Sequence, residues 1–174
     1  NPFRPKMKMT TQHVRFFILF LFLSAITFVY CILYNKPVAG IDDADIYFTY
    51  VKNFVNGHGF VFYPGGERVE GFTSLLWVLL TSVFYILEPG QYARLILGFN
   101  VLLISLALFL CCNFIRKLTM NPAVITPGEI LFLALLVFIP GYIDWTIMTL
   151  METGLWSFIL IVTCLRICTY DPYS

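Results

Sequence analysis

Long uninterrupted apolar runs dominate this chain. Residues 16–34 carry no charged side chain. As a helix rising ~1.5 Å per residue, that run is roughly 28 Å long, close to the ~30 Å of a bilayer core. Further apolar blocks follow at 92–115, 130–143 and 155–168. In lipid every backbone polar group must be satisfied internally, so each block is predicted to be helical. The pattern predicts an all-α polytopic membrane protein with spans at those four positions. A fifth block, 72–87, is short for a crossing at about 16 residues.

Composition agrees with this picture. Hydrophobic residues make up 59% of the chain and charged residues 12%. Soluble domains carry about 25% charged residues, so this chain has too few to wet a globular surface. The five cysteines (Cys31, Cys111, Cys112, Cys164 and Cys168) all fall inside apolar blocks. They suggest small packing residues rather than a disulfide framework or a zinc site. Arg4, Lys6, Lys8 and Arg15 resemble the basic start of a signal peptide. The apolar run that follows exceeds the ~7–15 residues of such a signal, however, and Pro37-Val38-Ala39-Gly40 makes a poor cleavage site. An uncleaved anchor is expected.

Charge sets the threading. The first 15 residues hold four fixed positive charges and no acidic ones, which places the N-terminus in the cytoplasm. If 72–87 crosses, Arg116-Lys117 emerge outside; if it does not, they return to the cytoplasm. The positive-inside rule favours the second threading. Residues 35–91 are then a first outer loop, with 72–87 a helix at or dipping into the outer leaflet. Residues 116–129 form a cytoplasmic loop, 144–154 a second outer loop and 169–174 a tail.

The first outer loop carries the chemistry. Within 35–71, Asp42, Asp43, Asp45, Glu67 and Glu70 face Lys36, Lys52 and Arg68. Asp42 is placed as an N-cap with Asp45 at the third helical position of a capping box. Tyr47, Tyr50, Val51, Phe54 and Val55 recur at helical spacing, predicting an amphipathic helix that ends at Gly57. Its apolar stripe would rest on the membrane surface or on the helix bundle. Residues 60–63, a Pro64-Gly65-Gly66 turn and 67–71 read as a short hairpin or a hairpin-like excursion. The aspartates have a purely structural reading as a cap and favourable charges at a helix start. Three carboxylates at a membrane boundary exceed what a cap needs, and a carboxylate there can serve as general base. In the second outer loop Asp144-Trp145 precede Met151-Glu152-Thr153-Gly154. Glu152 can cap the following helix, contribute to a site, or do both.

The run 42–53 (DDADIYFTYVKN), then 57–62 (GHGFVF), then 66–77 (GERVEGFTSLLW) resembles a signature of bacterial membrane glycosyltransferases of the GT-C fold. The similarity is strongest to the terminal arabinofuranosyltransferases of the actinobacterial cell wall. Residues 140–143 (PGYI) and 151–156 (METGLW) resemble the segment around that family's second outer loop. The likeness covers about residues 14–168.

The resemblance implies a GT-C-type N-terminal module with an outer loop of juxtamembrane amphipathic helices. It implies a bacterial cytoplasmic membrane with the active loop facing outward. The implied donor is a polyprenyl-phosphate sugar and the acceptor a cell-envelope glycan or lipid; nucleic acid is not an expected partner. Asp42 and Asp43 match the family's catalytic acidic pair and Glu152 its second acidic position. Thr49 stands where many relatives carry Arg. The family also has many more membrane helices than this chain. It therefore looks like an N-terminal portion, and the isolated chain is expected to be inactive.

Lys52, His58 and Arg68 are the loop's candidates for stabilising a phosphate leaving group, with Glu70 a further substrate-binding candidate. A divalent cation would supply the same charge, with Asp43 and Glu152 as its ligands. A non-catalytic module, such as a truncated paralogue, scaffold or assembly partner, is the rival reading. A small transporter component ranks third, because the clearer spans carry almost no internal charge.

Overall fold

The computed structural model describes residues 9–33, 43–69, 71–119, 126–139 and 141–169. Its regular elements are all helical: α1 (Met9–Leu33), α2 (Ala44–Val55), α3 (Leu75–Leu87), α4 (Tyr92–Thr119), α5 (Pro127–Phe138) and α6 (Thr153–Thr169). A 3-10 turn at Pro89–Gln91 leads into α4, and a π-helical turn at Asp144–Met148 precedes α6. Two stretches, Thr11–Leu33 and Pro89–Leu118, are long and apolar enough to cross a membrane. Leu75–Leu87, Pro127–Leu136 and Thr153–Thr169 are shorter apolar helices.

Helix α4 is the axis of the bundle. Phe16 of α1 meets Phe109 edge-on at 5.6 Å, and Arg15 donates to Asn113 Oδ1 at 2.9 Å. Leu23 packs with Val101, Ile104 and Leu108. These pairings make α1 antiparallel to α4. Helix α6 runs parallel to α4. Its Gly154 lies against Asn100, and its Arg166 shares a pocket with Asn113 and Lys117. A Cβ on Gly154 would sit 2.6 Å from the Thr146 carbonyl and 3.0 Å from Asn100 Oδ1. Glycine is what permits this approach, as small residues do where helices pack in lipid.

Helix α3 packs near the start of α4. Trp77 and Phe84 both lie on Phe99, and Tyr85 stacks edge-on against Tyr92. The contacts step back along α3, from Tyr85 to Trp77, as they step forward along α4, from Tyr92 to Phe99, so the two helices lean together antiparallel. The apolar stripe of α2 (Tyr47, Val51) packs with Trp77 and Val78 of α3, so it rests on the helix bundle.

Three local expectations are corrected. The block 130–143 is not one helix. Helix α5 starts at a capping box, in which Thr126 Oγ1 accepts from the Glu129 N–H and Glu129 accepts from the Thr126 N–H, and it stops at Phe138. Gly141 then adopts a positive φ of 81° and the chain turns before Asp144. The hairpin is absent: no strand occurs among the described residues. The turn itself is present, with the Gly66 N–H on the Tyr63 carbonyl at 3.0 Å. The flanking carbonyls of Val61 and Phe62 are taken by the Asn53 side-chain amide, at 2.9 Å each. That of Val69 is taken by the Tyr50 hydroxyl at 2.6 Å. Side chains thus do what a ladder would have done. Finally, the residue capping α2 is Asp43, without a side-chain cap bond, so Asp45 is not the partner in a capping box.

The C-terminus of α2 follows expectation. Gly57 takes φ 83°, its N–H bonds the Phe54 carbonyl, and the His58 N–H bonds the Asn53 carbonyl at 2.9 Å. That pair of bonds is a Schellman closure, which needs the left-handed residue glycine supplies.

Candidate functional site between the two polar loops

The site is built on Tyr47. This residue is one turn into α2, on the same helix face as Asp43 four positions earlier. Its ring is 2% exposed, and its hydroxyl reaches out of the apolar cluster to a ring of polar groups. It accepts from the backbone N–H of Thr73 at 3.2 Å and of Ser74 at 3.1 Å. It donates to Glu152 Oε1 at 2.7 Å. The Thr73 hydroxyl donates to the same oxygen at 2.6 Å. Ser74 in turn caps α3 by accepting from the Trp77 N–H at 3.2 Å. One phenol therefore ties the start of α3 to both polar loops. Burial, with the neighbouring Glu152 carboxylate adding to it, holds the Tyr47 phenol above its ordinary value, so it remains a neutral donor.

Glu152 is placed by unusual backbone. The π-helical turn closes with the Thr149 N–H on the Asp144 carbonyl at 2.9 Å. Leu150, fully buried, follows in the left-handed region at φ 59°. Such a residue persists only where its surroundings fix it, and both features recur at functional sites. Glu152 is 7% exposed. Oε1 accepts two hydroxyls, while Oε2 is buried without a hydrogen-bond partner among the described residues. Buried polar atoms are nearly always paired. An open acceptor oxygen is thus a feature a ligand's hydroxyl or a cation could use.

The expected site residues divide as follows. Glu152 meets the first polar loop segment through Tyr47 and Thr73. Asp43 is exposed at the start of α2. Asp42 and Glu70 lie outside the described residues. Lys52, His58 and Arg68 are all exposed. Lys52 stands nine residues beyond Asp43, roughly 13 Å along the helix, so it cannot share a small contact site with that carboxylate. Among the described residues, no group of three His, Cys, Asp or Glu side chains converges as a metal site. Asp43 and Glu152 do not by themselves make one.

Tyr47 and Thr73 were not singled out from the sequence as site residues. Tyr47 read as part of an apolar stripe, and only the hydroxyl on an otherwise buried position hints at a partner. A second polar cluster was also missed. Arg15, 5% exposed, pairs with Glu129, 1% exposed, and Arg116 lies 3.9 Å from the same carboxylate. The signal was present in Thr126-Pro127-Gly128-Glu129, which has the S/T-x-x-E form of a capping box with proline at the first helical position. This cluster lies at the end of the bundle opposite Glu152, beside an apolar cavity of about 190 Å³ lined by Ile18, Phe22 and Leu133. Compared with family models, with curated proteins and with solved structures, the chain shows no match.

Proposed function

We propose that this chain is a membrane glycosyltransferase module of the GT-C type that takes its sugar from a polyprenyl-phosphate donor. The observation supporting it most is the contact of Glu152 with Tyr47 and Thr73. It joins the two acidic loop segments that carry the resemblance and leaves one carboxylate oxygen without a partner among the described residues. The module is oriented with the N-terminus, Arg116, Lys117 and Arg166 in the cytoplasm and Glu152 outside, as the charge bias favours.

In this reading an acceptor hydroxyl of a cell-envelope glycan or lipid enters beside Glu152, whose Oε2 accepts a hydrogen bond from it and orients it. Asp43, with Asp42 next to it in sequence, takes the hydroxyl proton. The acceptor oxygen bonds to the anomeric carbon, the bond from that carbon to the phosphate oxygen breaks, and polyprenyl phosphate leaves with the electron pair. The test is transfer of labelled sugar from polyprenyl phosphate in membranes holding the protein at its native length. Asp43→Asn and Glu152→Gln are each expected to lower transfer by about 10²–10⁴-fold at unchanged protein level. Full transfer by both variants would falsify the assignment.

Two rival readings each have an observation in their favour. A non-catalytic assembly module fits the use of Glu152 as a tie between loops. A transporter component fits the buried Arg15–Glu129 pair, since charges inside a bundle often mark an ion or substrate path.

A further inference from the structure

At the end of the bundle opposite Glu152, α1, α4 and α6 enclose a pocket of about 530 Å³. Arg116, Lys117 and Arg166 line it, with the polar Asn113 and Thr169. Leu110, Phe114 and Val162 give it apolar lining. We propose that this pocket binds the phosphate headgroup of an anionic phospholipid from the leaflet that borders this end. The proposal rests on the membrane reading of the helices but not on the glycosyltransferase reading.

Charge balance supports it. The fixed charges of this end among the described residues are Arg15, Arg116, Lys117 and Arg166 against Glu129. That is four positive charges against one negative, a surplus of three. The C-termini of α4 and α6 and the N-termini of α1 and α5 all lie at this end, and their partial charges of roughly half a unit each, two negative and two positive, cancel. The surplus on the side chains is what a ligand meets. Glu129 is occupied by Arg15 and by the α5 cap, so it does not neutralise Lys117 or Arg166.

Shape supports a lipid over a soluble anion. The cations come from two helices, and the same cavity is lined by Phe114 within a turn of Lys117, Val162 about one turn before Arg166 and Leu110 about two turns before Lys117. A free phosphate would use the cations alone. A phospholipid uses both, with its headgroup on the cations and its first acyl carbons on Leu110, Phe114 and Val162. The volume lies within the range of ligand sites, about 300–1,000 Å³, and basic pockets between membrane helices suit anionic headgroups.

The test uses the whole chain in vesicles of zwitterionic phosphatidylcholine containing a small fraction of phosphatidylglycerol. Flotation with pure phosphatidylcholine vesicles first reports insertion; a chain that fails to float overturns the membrane reading and this site with it. Native mass spectrometry of the inserted, detergent-released protein then counts retained lipids. One phosphatidylglycerol is expected on the wild type. The double variant Lys117→Gln/Arg166→Gln, both exposed positions, is expected to retain it roughly 30-fold less well. Arg94→Gln, at the other end of α4, should match wild type. Equal retention by wild type and the double variant overturns the proposal. So does displacement of the lipid by millimolar inorganic phosphate, which would assign the pocket to a soluble anion.

Discussion

The Tyr47 hydroxyl lies 2.7 Å from Glu152 Oε1 across 105 residues of sequence, and it is the hinge of contact between the two polar loops. The same oxygen accepts two backbone N–H groups at the start of α3. Tyr47→Phe keeps the ring in its apolar cluster and deletes only this hub. The expected cost is about 1–3 kcal/mol, because buried donors at Thr73 and Ser74 lose their acceptor along with the carboxylate's donor. Thermal unfolding in detergent measures it. An unchanged midpoint would mean that the three-oxygen cluster contributes nothing to stability.

Alkaline pH should weaken the same contact. Burial raises the Tyr47 phenol above its ordinary value of 10.0, and the Glu152 carboxylate adds to the shift. The folded state therefore favours the neutral phenol. Its contribution is fully present below about pH 10 and is lost as pH rises from there through the folded value. The stability gap between wild type and Tyr47→Phe should narrow between pH 9 and pH 11, at most about 1.4 kcal/mol per pH unit. Chemical denaturation across that range is the measurement, and a constant gap contradicts the ionisation argument.

Gly154→Ala tests the approach of α6 to α4. The added Cβ would meet the Thr146 carbonyl at 2.6 Å and Asn100 Oδ1 at 3.0 Å. The first is backbone and cannot rotate away, so α6 or the π-helical turn must shift. A loss of about 1–3 kcal/mol is expected. Because Glu152 sits two residues earlier, the transfer activity proposed for this site should fall with it. Gly98→Ala, where a Cβ meets nothing within 4 Å, is the control expected to leave both unchanged.

Much of this architecture was legible. The runs that became α1 and α4 could be nothing but helix in an apolar setting, and the α2 stripe ended at the glycine its Schellman closure required. The break after Phe138 was hidden because the run stays apolar through Ile139 and Tyr142, although Pro140-Gly141 is a breaker pair. The hairpin failed for a different reason: Asn53, distant in the loop pattern, supplies the hydrogen bonds a partner strand would have given. In the site, Glu152 was visible as a lone carboxylate between apolar blocks. Its partners were not, because a tyrosine on an apolar stripe and a threonine before a cap look ordinary until the fold brings them together. The capping-box pattern marks Glu129, but nothing local ties it to Arg15, 114 residues away.

Topology is testable at two exposed positions. Lys117 ends α4 beside the Arg15–Glu129 cluster, while His58 follows α2 at the Glu152 end. On a background with native cysteines replaced, Lys117→Cys should resist an impermeant thiol reagent in intact cells and His58→Cys should react. The charge bias around each block motivates this orientation. Outside labelling of Lys117→Cys would reverse it.

The Arg15–Glu129 pair gives the strongest stability prediction. The two side chains are 6% and 2% exposed, so neither charge has water to fall back on. Glu129→Leu leaves Arg15 with the Asn113 amide and should cost about 3–5 kcal/mol, whereas Arg15→Met leaves Glu129 facing Arg116 at 3.9 Å and should cost somewhat less. Replacing both removes the desolvated charges together, and buried pairs exchanged for apolar residues of similar volume are often neutral in stability. Glu129 has one further duty, since its Oε2 accepts the Thr126 N–H at 2.6 Å in the α5 capping box. The double variant should therefore recover most of the loss but remain about 1 kcal/mol below wild type, the cost of a missing cap. A double-mutant cycle on unfolding in detergent reads the coupling directly. Coupling of several kcal/mol between the sites supports a true buried pair, whereas strictly additive losses would show that Arg15 is stabilised by Asn113 and solvent, with Glu129 serving only as the cap of α5.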